Sequence, residues 1–441
     1  MSVDDSGDPP KTFLARSKEL ATLAARLGGR ELGWRLNSAL SKSGAAVDRV
    51  RMQMEQAAEL VQCLGRLKGA AMKMGQMLSV EGADFLPPEV IEILSRLRDD
   101  GVSLKPDRVR QVLTEELGGE KLSRLESLEL NAFASASIGQ VHRARLDGRD
   151  IALKVQFPGV AETIDSDLAI LERALRGFLA VARKEIDVAP LIEELAELLR
   201  QEVDYELEAT NLVRYAEGLR HCGGDQDYVL PVPVAGYVTK KVLGMSFEEG
   251  VRIPDWLRTR PSQEERDRVG RQILDLYHAE FFDMGLVQTD PNFSNFLLRP
   301  KEGRLVLLDF GAVKSYSDDF RRDYRSLLKV MRHGSDRELL DCALAMDLVH
   351  PEESAECLEC FVRMLRMSIE PFNPSRQPFV FADADYSKEV RVATLAFTSK
   401  VRLSPPPRKI LFLHRKLGGV FSLLKSVEAR LDLTPYWQRL D

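Results

Sequence analysis

The chain has 441 residues, 44% of them hydrophobic and 29% charged, with a formal net charge of −6. That is the balance of a globular protein that buries a real core, and its acidic sign excludes a whole-chain electrostatic grip on nucleic acid. Five scattered cysteines give no disulfide framework and favour a reducing compartment. The first residues carry Asp4, Asp5 and Asp8 rather than a basic, apolar leader, and no stretch approaches the roughly 18 apolar residues of a membrane span. The expected location is cytoplasmic, with any membrane contact peripheral.

Residues 1–10 read as a tail. Residues 11–51 carry nine Lys/Arg against three acids, a local charge of +6 that leaves −12 on the rest. Leu20, Leu23, Leu27, Leu32, Trp34, Leu36 and Leu40 interleave those charges. A basic amphipathic segment on an acidic chain suits an anionic membrane surface or an acidic partner, and it equally suits packing on its own domain. Ala57, Leu60, Val61, Leu64, Leu67, Ala71, Met74 and Leu78 recur at helical spacing over 47–79, up to the break at Leu86-Pro87-Pro88. Further helices are expected at 88–98 and 106–118, the last stopped by Gly118-Gly119.

Near residue 130 the texture changes. Ala134–Val141 and Arg149–Phe157 read as strands around the turn Asp147-Gly148. Long helices are expected over 160–184 and 189–220, and short strands over 228–232 and 237–242. From 263 the chain is mainly helical, interrupted at 290–309 by a small hairpin of 295–298 and 305–308 around Lys301-Glu302-Gly303.

The chemistry gathers in that interruption. Asp290 and Asn295 stand at the spacing D-x-x-x-x-N, and Asp309-Phe310-Gly311 follows the apolar strand Leu305–Leu308. Protein kinases have the same Asp/Asn spacing and a D-F-G after a short hairpin. Phosphoryl transfer needs Mg²⁺ held by carboxylate and amide oxygens, here Asn295 and Asp309, and a group that orients or deprotonates the nucleophile, here Asp290. Upstream, Ile151-Ala152-Leu153-Lys154 matches the strand that carries the phosphate-binding lysine. Glu202 and Asp204 on the following helix point in different directions, and Glu202 is the expected partner of Lys154. A glycine-rich loop should precede that lysine, yet Ala134-Ser135-Ala136-Ser137-Ile138-Gly139 keeps one glycine. No A-P-E follows Asp309. His142 is expected to pack structurally rather than touch phosphate, and His414 to pack within a helix. Cys357 and Cys360 have ligand spacing without a second pair nearby, so zinc is not expected.

With Lys73-Met74-Gly75-Gln76 (K-x-G-Q), the alanine-rich loop ending in Ser137-Ile138-Gly139-Gln140-Val141-His142, Glu202-Val203-Asp204 (E-x-D), and Leu413-His414-Arg415-Lys416-Leu417-Gly418-Gly419, the chain resembles the AarF/UbiB family of atypical protein-kinase-like ATPases over roughly 55–425. The resemblance implies an α+β, two-lobed protein-kinase-like fold with an N-terminal all-helical extension. Its parts would be a tail and basic segment at 1–46, a helical extension at 47–130, an N-lobe at 131–242 and a helical C-lobe at 243–441. Val238-Thr239-Lys240-Lys241-Val242 is read as the hinge. Ala134, Ser135, Ala136, Ser137 and Lys154 would bind ATP or ADP with Mg²⁺. Lys73 and Gln76 would lie across the peptide site, with Lys73 reaching Asp204. The resemblance further implies ATP hydrolysis or small-molecule phosphorylation in isoprenoid quinone (ubiquinone-type) biosynthesis at a membrane, with an isoprenoid or phenolic lipid and a lipid-biosynthesis complex as partners and no nucleic acid. A protein Ser/Thr kinase, and a nucleotide-gated lipid-binding or scaffolding module without turnover, are the alternatives.

Overall fold

A computed structural model of the chain describes residues 103–136, 138–181, 189–290, 292–401 and 408–439. The basic segment, the helices expected at 47–79 and 88–98, Lys73, Gln76 and Ser137 lie outside the described residues. The chain divides into two compact units, residues 1–210 with 232–247 and residues 211–231 with 248–441.

The first unit opens with helix Pro106–Ser123 (α1), where proline suits the first turn. The stop expected at Gly118 is instead a kink: Gly118 takes φ +80°, and the helix resumes beyond it. Strands Ser127–Leu128 (β1), Ala134–Ser135 (β2), Gly139–Leu146 (β3) and Arg149–Gln156 (β4) follow. Asp147 and Gly148 both adopt positive φ in the two-residue turn between β3 and β4, the geometry for which Asp-Gly is selected. Helices Val160–Val181 (α2), Ala189–Glu202 (α3) and Tyr205–His221 (α4) come next. Tyr228–Val229 (β5) belongs to the second unit, and Pro233–Val238 (β6) and Val242–Ser246 (β7) return to the first. The antiparallel sheet runs β1-β3-β4-β7-β6, with β2 on β3. Val109, Val112, Leu113 and Leu117 of α1 pack with Ile151, Leu153 and Val155 of β4 in one core. Because side chains alternate along a strand, Ala152, Lys154 and Gln156 take the other face.

The second unit adds Val251–Arg252 (β8), Ile253–Arg258 (α5), Gln263–His278 (α6), a π-helical turn Ala279–Met284, Leu286–Gln288 (β9), Phe296–Arg299 (β10), Arg304–Leu307 (β11) and Val313–Ser315 (β12). Then come Asp318–His333 (α7), Asp336–Ala345 (α8), Ala355–Ile369 (α9), Phe379–Val380 (β13), Ala384–Thr398 (α10), Arg408–Ser426 (α11), Arg430–Leu431 (β14) and Thr434–Gln438 (α12). Serines 262, 317, 335 and 354 cap α6, α7, α8 and α9, and Glu265 and Glu338 close capping boxes. The expected hairpin is β10–β11, extended by β8 on one side and by parallel β5 on the other. Strand β9 pairs with β12. Beneath them, Phe281 packs edge-on against Phe282, Tyr316 and Tyr324 in the core.

Candidate active site

In the first unit Lys154 is 4% exposed and Glu208 is 2% exposed. Lys154 Nζ donates to both carboxylate oxygens of Glu208, at 2.9 and 2.8 Å. It also stands 5.0 Å from the centre of the Tyr205 ring. The expected pairing of Lys154 with Glu202 is therefore corrected: the partner is Glu208. The reason is a helix break. Glu202 is the buried last residue of α3, and the 189–220 helix is two helices rather than one. Asp204 starts the second of them, its Oδ1 accepting the Leu207 N–H at 3.0 Å, so Asp204 serves as a cap there. Glu208 then falls one turn into α4. A sequence signal for it existed. Tyr205, Ala209, Leu212, Tyr215 and Leu219 form a buried stripe, and Glu208 sits on that stripe, where a carboxylate requires a cation.

The alanine-rich loop is a tight reversal between β2 and β3. Ala136 N–H donates to Gly139 O at 2.9 Å, and Phe133 N–H donates to Val141 O. Ala134 and Ser135 are exposed. The one retained glycine has a steric cause: a Cβ on Gly139 would lie 2.4 Å from Val155 O and 2.8 Å from Tyr205 Oη. His142 is buried, as expected of a packing residue. Its Nδ1 lies 2.9 Å from Glu129 O and its Nε2 lies 2.8 Å from Gln140 Nε2, while Gln140 Oε1 accepts the Leu104 N–H. These partners assign the neutral ring with its proton on Nδ1. Burial lowers its pKa from the usual 6.5, partly offset by the bond to the Glu129 carbonyl. The unfolded ring thus binds a proton that the folded ring resists. Its contribution is full above about pH 6.5 and is lost as pH falls below that value. The melting temperature is expected to drop as the pH falls below about 6.5, with a shallower slope in His142→Asn.

The segment 238–242 is corrected as well. It is the turn between β6 and β7, inside the first unit, and not a hinge. Thr239 fixes it: its hydroxyl accepts the Lys241 and Val242 N–H groups and donates to Glu116 Oε2 at 2.8 Å. The first unit ends at Phe247 and includes α1.

In the second unit Asp290, Asn295 and Asp309 come from neighbouring turns. The Thr289 N–H donates to Ala312 O at 2.8 Å, tying the Asp290 segment to the residue after the D-F-G. The Leu308 N–H donates to Asn295 O at 3.0 Å, tying Asn295 to the residue before Asp309. The carbonyl of Asp290 accepts from Gln288 Nε2 at 2.8 Å and from Asn295 Nδ2 at 3.2 Å. Asn295 uses its amide nitrogen, not its amide oxygen, in this bond. Asp309 Oδ1 accepts the Gly311 N–H at 3.0 Å, which orients the carboxylate. Phe310 is buried edge-on to Tyr215 at 4.9 Å, and its carbonyl accepts from Asn211 Nδ2. One amide and one carboxylate are a donor set suited to Mg²⁺, which takes few protein ligands and fills its octahedron with water and phosphate oxygens. Asn295 and Asp309 line one small cavity together with Gln288, Glu280 and Lys416, three residues that motif reading did not assign to the site. His414 on α11 keeps solvent-accessible surface, yet desolvation by the surrounding protein lowers its pKa to about 4.

The ABC1 atypical kinase-like domain matches residues 96–341. The chain is 30% identical to "Probable serine/threonine-protein kinase abkA" of Dictyostelium discoideum, over 96% of this chain and 78% of that protein. It is 32% identical to "Atypical kinase COQ8, mitochondrial" of Schizosaccharomyces pombe over 84% of this chain, and it is 31% identical to "Atypical kinase COQ8B, mitochondrial" of Danio rerio over 89%. The chain spans 60% and 62% of those two relatives. Among solved structures, "The complex structure of Rv3197-erythromycin from Mycobacterium tuberculosis" aligns with a TM-score of 0.61 and 27% identity, over 91% of this chain and 98% of that one. The α+β kinase-like fold, the atypical kinase or ATPase class and the resemblance drawn from the motifs are all borne out. The chain belongs to the ABC1 atypical kinase-like family.

Proposed function

We propose that this chain is a Mg²⁺-dependent atypical kinase or ATPase that uses ATP and acts on, or in response to, a quinone-type lipid at a membrane surface. The observation that carries the reading is the buried Lys154–Glu208 pair, in a chain that also keeps Asp290, Asn295 and Asp309 in hydrogen-bonded turns. Kinases require such a lysine–glutamate pair to set the lysine against the nucleotide phosphates. Lys154 supplies the cation and Glu208 fixes its position. Asn295 and Asp309 hold Mg²⁺, which when bound neutralises charge developing on the phosphate oxygens. Asp290 orients the attacking hydroxyl or water and accepts its proton. Ala134, Ser135, Ala136 and Ser137 cover the phosphates, and Lys73, Gln76 and Asp204 regulate access.

The lipid part rests on the family resemblance, on relatives named as mitochondrial COQ8 atypical kinases, and on the basic amphipathic stretch at 11–51. No helix among the described residues is long and apolar enough to cross a membrane. Flotation with vesicles separates the parts of the reading. Binding to anionic but not neutral vesicles, lost when the nine basic residues of 11–51 are neutralised, is the expected result. Equal binding to both vesicle types removes the electrostatic part.

A further inference from the structure

Glu280 and Lys416 are 0% and 2% exposed, an ion pair sealed inside the second unit. Lys416 Nζ contacts the two carboxylate oxygens of Glu280 at 3.1 and 2.8 Å. Glu280 also accepts the Tyr215 hydroxyl at 2.6 Å and the backbone N–H of Gln288 at 3.1 Å. Lys416 makes one further contact, to Gln288 Oε1 at 3.3 Å. With its oxygen on the lysine, the Gln288 amide turns its nitrogen to the carbonyl of Asp290 at 2.8 Å. A continuous polar path therefore leads from α11 to the backbone of the loop that carries Asp290 and Asn295. Glu280 belongs to the π-helical turn after α6, a local departure from α geometry of the kind common at functional sites.

Burying a lysine and a glutamate is costly, and a well-packed apolar pair of similar volume often gives equal or greater stability. Stability alone is therefore a weak reason for this pair. Its placement supplies a better one, because each of its ends holds a different atom of Gln288. Lys416 also stands outside the 96–341 span of the family match, on α11, in the 413–419 segment that carries part of the resemblance.

We propose that Lys416 is a positioning residue for phosphoryl transfer: through Glu280 and the side chain of Gln288 it fixes the Asp290–Asn295 loop, so that α11 is part of the catalytic apparatus. This rests on the function proposed above. Lys416 touches no reacting atom, and its effect passes through the loop.

Lys416→Met alone leaves the Glu280 carboxylate buried without its cation and threatens folding. The test therefore uses Glu280→Gln/Lys416→Met in the full chain, which buries no charge, with thermal melting to establish that it folds. Amides of 286–296 are expected to exchange hydrogen about tenfold faster, with those of α10 unchanged. The kcat for Mg²⁺-ATP is expected to fall about tenfold or more with KM within about twofold, and Gln288→Leu should reproduce that loss without adding to it. A folded double variant with wild-type exchange and wild-type kcat overturns the proposal. If the wild type turns over no ATP, the functional reading fails by itself. Exchange then decides the inference: faster exchange at 286–296 supports the positioning role, and unchanged exchange removes it.

Discussion

Glu208→Ala is expected to lower stability by about 3–5 kcal/mol, because it strands the Lys154 ammonium in a site with almost no access to water. Chemical denaturation checks the size of the loss. The same variant should lose most ATP turnover, since Lys154 no longer has the acid that sets its direction. Lys154→Met/Glu208→Leu should recover much of the stability and none of the turnover, which separates the structural cost from the functional one. Glu202→Gln gives the contrast: Lys154 keeps both of its bonds to Glu208, so ATP affinity should remain close to wild type. A Glu202 variant that mimicked Glu208→Ala would contradict the pairing.

Asp290→Asn is expected to reduce kcat about 10²–10⁴-fold with ATP affinity within about twofold, the pattern of a lost proton acceptor beside an intact nucleotide site. The change spares the fold for a local reason. Gln288 and Asn295 hold Asp290 by its backbone carbonyl, which the substitution does not alter. Direct nucleotide titration beside steady-state kinetics reads both quantities. Loss of binding in step with loss of kcat would instead make Asp290 part of the nucleotide grip.

Much of this site could be read in the sequence because its parts are local. The alternation along β4 put Lys154 on the face opposite the core residues Ile151, Leu153 and Val155. The Asp-Gly turn and the Lys301-Glu302-Gly303 hairpin each depend on a few adjacent residues. What could not be read depends on breaks or on distance. Val203 and Asp204 divide one expected helix into two and so replace Glu202 by Glu208 as the lysine's partner. The run Val238–Val242 has the polarity of a linker, yet Thr239 folds it into a hairpin turn by capping its own backbone. Lys416 reaches Glu280 across 136 positions, a separation that no periodicity or spacing encodes. Its local signs were its place in the 413–419 segment and a lysine among Phe412, Leu413 and Val420, all buried.

In the proposed function Asp309, oriented by the Gly311 N–H, holds the metal for ATP turnover. Phosphate release from Mg²⁺-ATP by the wild type and by Asp309→Asn, each with and without anionic liposomes, tests it most directly. Turnover that rises with liposomes and disappears in Asp309→Asn is the result this reading predicts. Equal release by both proteins, or nucleotide binding without release by the wild type under either condition, would contradict it.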